Sequence, residues 1–98
     1  MEFKIKKMQI KPKNQKSLAI YYLINFEDID LKFIINDSMF FKFQTRLSEI
    51  EMKEGKQIAL RRRVKFVNRF GNKSTYNVYN LCISYTEAKK LFKKYNKS

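Results

Sequence analysis

Between positions 58 and 85 apolar and polar residues alternate along two stretches that flank Gly71-Asn72. Successive strand side chains face opposite ways, so the pattern predicts two long antiparallel strands, 58–70 and 73–85. Gly71 accepts a positive φ, which suits the first central position of a two-residue type II′ turn. Such a turn sets Arg69 opposite Ser74, Val67 opposite Tyr76, Lys65 opposite Val78, Arg63 opposite Asn80 and Arg61 opposite Cys82. One face then gathers Ile58, Leu60, Val64, Phe66, Tyr79, Leu81, Ile83 and Tyr85. The other gathers Arg61, Arg63, Lys65 and Arg69, with Tyr76 and Asn80 among them. Arg62 falls on the apolar side and marks either the rim of the sheet or a bulge.

The rest of the chain reads mostly as strands. Phe3 and Ile5 alternate with lysines before the apolar phase shifts to Met8 and Ile10, a bulged first strand that ends before Pro12. Residues 11–17 form a polar, basic connection. Residues 18–26 are apolar on both parities, as in a strand covered on both faces. Periodicity alone also fits a helix there, but the β-branched and aromatic content favours the central strand of a sheet. Ile29, Leu31, Phe33 and Ile35 alternate with polar neighbours. So do Met39, Phe41 and Phe43, after an Asn36-Asp37-Ser38 turn.

Residues 47–53 are open between a short helix, which Ser48-x-x-Glu51 would cap, and a strand through Ile50 and Met52; the strand is preferred. A second capping box, Ser84-Tyr85-Thr86-Glu87, starts a C-terminal helix with an Ala88, Leu91, Phe92 and Tyr95 stripe. The expected fold is mainly β within the α+β class. It is one domain, 1–98, with a curved antiparallel sheet or partial barrel of five or six strands and one C-terminal helix. One helix does not cover such a sheet, so it either curls or packs against a second copy as a homodimer.

Composition narrows the chemistry. The chain has 98 residues, 44% of them hydrophobic, which argues against disorder. No apolar run approaches the ~20 residues of a membrane span. The charged, alternating start lacks a secretory core, so an intracellular protein is expected. One cysteine and no histidine exclude an internal disulfide, a Cys/His zinc site and a histidine base. Cys82 reads as a small buried side chain. Asp28, Asp30 and Asp37 read as exposed strand and turn acids rather than as Mg²⁺ ligands. Neither a glycine-rich phosphate loop nor a Gly-x-Ser-x-Gly elbow occurs. No enzyme activity, catalytic residue, metal or cofactor is therefore expected.

The net charge of +13 is uneven: residues 1–49 hold nine Lys/Arg against six Asp/Glu, and residues 50–98 hold thirteen against three. Such an excess points to a polyanion, most often nucleic acid. Alternate strand residues stand ~6.6–6.8 Å apart, close to successive phosphates of an extended strand. Arg61, Arg63, Lys65, Arg69 and Lys73 are thus the candidate phosphate contacts, Tyr76 a stacking surface, and Asn80 their neighbour. Cations with aromatics on a β-face favour single-stranded DNA or RNA, or structured RNA, over sequence-read duplex. The alternative is a phage or mobile-element inhibitor, of anti-CRISPR or anti-defence type, whose basic face docks on a nucleoprotein enzyme.

Roughly half of the chain resembles the stage V sporulation protein G family of small DNA-binding dimers. The resemblance lies in an opening strand at 1–10, a hairpin over 18–35, and Ser38-Met39-Phe40-Phe41 running to Thr45-Arg46. The family's glycine before its Leu-Phe pair and its Met-Pro-Ser-Arg segment are absent. No site residue is carried over from it.

Overall fold

Residues 18–26 do lie at the centre of the fold, but as a helix. The computed structural model describes residues 10–97, so the expected first strand lies almost wholly outside the described residues. Asn14 and Ser17 form a reciprocal cap: Asn14 Oδ1 accepts from Ser17 N at 2.9 Å, and Ser17 Oγ accepts from Asn14 N at 3.3 Å. That cap starts α1, Gln15–Asn25. Ala19, Ile20, Tyr22, Leu23 and Ile24 are all buried. A helix enclosed on most sides is apolar nearly all round, which erases the amphipathic period and imitates a two-sided buried strand.

The next two expected strands are also helices. Asp30 accepts from Phe33 N at 2.8 Å and caps α2, Leu31–Ser38, which stops at Met39 in the left-handed region (φ 57°). Phe40, Phe43, Leu47 and Ile50 recur at helical spacing and are buried; the last three lie on α3, Phe43–Glu54. The helix begins after Lys42, so Ser48-x-x-Glu51 is not its cap, and residues 47–53 are helical. Gly55, with φ of 72°, closes α3 in a conformation that suits glycine.

Among the described residues only the hairpin forms a sheet: β1, Ala59–Val67, pairs antiparallel with β2, Lys73–Leu81. Among the described residues, four helices around one core and a two-stranded ribbon stand in place of the expected barrel of five or six strands. The last helix, α4, spans Tyr85–Tyr95 and matches expectation. Ser84 Oγ accepts from Glu87 N at 3.1 Å, and Ala88, Leu91, Phe92 and Tyr95 are buried.

α1 packs against α3, α4 and the root of β2. Its start is tied to the end of α4, where Asn14 Nδ2 donates to the carbonyls of Tyr95 (2.6 Å) and Lys97 (2.8 Å). Tyr22 joins α1 to α2, its hydroxyl donating to Asp37 Oδ2 at 2.6 Å and lying 2.8 Å from Ser38 Oγ. The fully buried Phe43, Phe92, Ile20 and Leu47 each contribute about 1.5–3 kcal/mol by leaving water. With helices closing this core, a second copy is not required to cover a bare sheet.

Candidate nucleic-acid interface

The hairpin is rooted in the core and exposed beyond it. Ala59, Val78 and Tyr79 are buried at the root. Tyr79 packs edge-on to Phe43 at 5.1 Å, its hydroxyl accepts from Gln44 Nε2 at 2.6 Å, and its backbone bridges Ile29. From Leu60 to Tyr76 no residue is fully buried, and the seven strand steps from Leu60 to Val67 span about 23 Å.

The observed loop differs from the expected one, and so does the register. Val67 faces Lys73, Lys65 faces Thr75, Arg63 faces Asn77 and Arg61 faces Tyr79, three residues away from the type II′ alignment. Asn68 is the cause. Its carbonyl accepts from Gly71 N at 2.9 Å, its Oδ1 accepts from Phe70 N (2.9 Å) and Asn72 N (3.0 Å), and its own N–H donates to Asn72 O. Arg69, Phe70 and Gly71 form a three-residue loop with Gly71 (φ 83°) in the left-handed position. Gly71 therefore ends the turn instead of beginning it.

An odd shift of register moves every β2 side chain to the other face. Arg61, Arg63 and Lys65 share a face with Lys73, Thr75, Asn77 and Tyr79. Leu60, Arg62, Val64 and Phe66 share the opposite one with Ser74, Tyr76, Val78 and Asn80. Tyr76 and Asn80 thus leave the cationic row. Tyr76 meets Phe66 edge-on at 5.6 Å on a half-exposed apolar patch.

The arginine triplet divides by partner. Arg61 Nη2 donates to Glu51 Oε1 at 2.7 Å, and its guanidinium lies over the Tyr79 ring. Arg62 Nη2 reaches Asp28 Oδ1 at 3.1 Å, and its pairing with Val78 in an unbroken register excludes a bulge. Asn80 is committed to the same acid, donating to Asp28 Oδ1 at 2.9 Å while its Oδ1 accepts from Asp28 N. Those bonds, from Asn80 first and then from Arg62, hold the Asp28 carboxyl below its usual range. The side chains of Arg63, Lys65 and Lys73 have no hydrogen bond or ion pair among the described residues.

Burial pushes the Glu51 pKa up, but bonds from Arg61, Ile58 N and Ala59 N outweigh it and hold the carboxyl below the ordinary glutamate range. Glu51 thereby fastens the arm to α3. No Asp or Glu lies between Glu54 and Glu87, while seven Lys/Arg do. With Arg61 and Arg62 neutralised at the root, uncompensated charge collects towards the tip.

At the tip, Arg69 stacks its guanidinium over the Phe70 ring at 4.8 Å, and that ring is 74% exposed. Phe70 was not among the expected site residues. Its signal was the Asn68-x-x-Gly71 spacing of a tight turn, which leaves an aromatic at the turn's crest with no core to enter. Cys82 is exposed rather than buried, its Sγ 3.5 Å from Gln57 O. The three aspartates are dispersed: Asp28 pairs with Arg62, Asp30 caps α2 and Asp37 bonds Tyr22. Among the described residues no cluster of metal-ligating side chains occurs, and no helix is long and apolar enough to cross a membrane.

Comparison with family models, curated proteins and solved structures found no match to this chain. The sporulation-protein resemblance is not sustained: its expected hairpin over 18–35 is α1 and most of α2.

Proposed function

We propose that this chain is a non-enzymatic nucleic-acid-binding protein of the cell interior that grips phosphates with the exposed cationic face of its hairpin. Arg63, Lys65 and Lys73 form the gripping row, and Arg69 extends it to the tip. One observation carries the reading: these side chains share an exposed arm and have no acidic partner among the described residues, whereas the root arginines are paired. Cations with neither partner nor burial add little to a fold. Facing phosphates, each releases a counterion and adds affinity.

Fluorescence anisotropy with labelled oligonucleotides, between about 50 and 200 mM salt, tests it. Four engaged cations on a single strand give a log–log slope of affinity against salt of about −3, and Arg63, Lys65 and Lys73 changed together to Ser leave about −1. Lys89, Lys90 and Lys93 changed to Ser on α4 leave the slope as it was. Affinity indifferent to salt, or binding lost only in the α4 variant, refutes the arm.

The opposite face favours a second reading. Val64, Phe66 and Tyr76 make an apolar patch suited to a protein surface, as an inhibitor of a nucleoprotein enzyme would use. A partner retained after nuclease treatment, and lost on Phe66→Ser, would select it.

A further inference from the structure

We infer that Arg69 and Phe70 form a one-sided stacking platform for an unpaired base, so that the arm selects single-stranded segments over duplex. The inference rests on the phosphate-gripping reading and names the ligand class of that same site. Phe70 is the most exposed aromatic among the described residues, at 74%, on a loop that the Asn68 hydrogen bonds hold in place. An exposed ring held by a fixed backbone loses little freedom on binding.

The ring's two faces are unequal. The Arg69 guanidinium covers one at 4.8 Å. A wedge driven between two stacked base pairs needs both faces, whereas a single splayed base needs one. The guanidinium also sets a positive charge beside the base, where the nearest phosphate lies, and Lys65, Lys73 and Arg63 continue that charge down the shaft. A protein pocket lined with apolar side chains would gain from the ring but would have to desolvate Arg69. Charge complementarity therefore favours nucleic acid. Tyr76, on the other face, does not serve this row.

Equal-length single-stranded DNA, single-stranded RNA and duplex DNA, plus a stem–loop RNA, are titrated against the full chain by anisotropy. A 2-aminopurine in the single strand reports stacking. Wild type binds the single strands and the loop more tightly than duplex and changes the 2-aminopurine signal. Phe70→Ala weakens single-strand binding roughly 5- to 150-fold, the range of one lost base–aromatic stack. It leaves duplex binding, the salt slope and thermal stability unchanged, while Phe70→Trp retains the preference. If Phe70→Ala binds every probe like wild type with the salt slope intact, the platform is refuted and the phosphate grip stands. If no probe binds at low salt, both are refuted.

Discussion

Replacing Glu51 with Ala is the sharpest probe of how the arm is held. The Glu51 Oε2 atom accepts from Ile58 N at 2.8 Å, Ala59 N at 3.2 Å and Arg61 Nη1 at 3.2 Å, while Oε1 takes the second Arg61 bond. Ile58 and Ala59 are fully buried, so the substitution strands two backbone donors. At ~1–3 kcal/mol for each unsatisfied donor the loss is bounded near 2–6 kcal/mol, and partial entry of water at a 15%-exposed side chain lowers it to about 2–4 kcal/mol. For a domain of this size that is a drop of roughly 10–25 °C in Tm. Glu51→Gln keeps one acceptor and costs less, and Arg61→Ala leaves both backbone bonds in place and costs about 1 kcal/mol. Urea denaturation followed by circular dichroism measures all three. The pH dependence follows from the sign of the shift. The folded pKa is depressed, so the carboxylate's contribution is complete above the unfolded value of about 4.3 and disappears as pH falls through the lower folded value. Glu51→Gln therefore flattens the acid limb of the stability profile. A Glu51→Ala cost under ~0.5 kcal/mol, typical of an exposed ion pair, would show that this carboxylate does not hold the arm.

Leu47→Ala, inside the α3 stripe, costs about 2–5 kcal/mol in the same denaturation assay; a near-neutral result would contradict its full burial. Tyr22 is pushed up to about 12 by burial and then by its Asp37 bond, and Tyr95 to about 12 by burial and then by Glu54. Both folded values lie above the ordinary 10.0, so their contribution is complete below that pH and disappears as pH rises towards 12. Ultraviolet titration of phenolate should find two late-ionising tyrosines, and Tyr22→Phe should flatten the alkaline limb; an unaltered limb rejects the assignment. Asn68→Ala removes the side-chain acceptor for Phe70 N and Asn72 N. It costs ~1 kcal/mol and speeds amide exchange at those two sites, while exchange at Tyr79 stays slow.

The hairpin and the last helix were legible in the sequence because each carries an unmixed pattern. α4 is amphipathic with its cap written as Ser84 and Glu87, and β1 and β2 alternate between turn residues. The middle of the chain was misread for a physical reason. α1 is buried nearly all round, so burial, not period, dictates its apolar residues, and the strand preference of Ile, Tyr and Phe yields to packing. The alternation of Ile29, Leu31, Phe33 and Ile35 does not mark one strand: Ile29 precedes α2 and bridges Tyr79, and the others lie on the helix. Ile34 is the fully buried position there, and the Asp30 cap was the better signal. The cationic residues of the candidate site were visible from charge alone. Their companions on β2 were not, because strand faces depend on a loop whose length rests on one side chain, Asn68.

Beyond the Ile29–Tyr79 bridge, among the described residues, the outer margins of β1 and β2 pair with no other strand. Such margins are templates for strand addition between molecules. Lysines and arginines spaced along them act as gatekeepers, because two arms brought side by side set like charges against each other. The cations proposed to grip phosphate would thus also set one arm against another. Arms stripped of Arg63, Lys65 and Lys73 should gain light scattering as they lose affinity, and high salt should push the wild-type protein the same way.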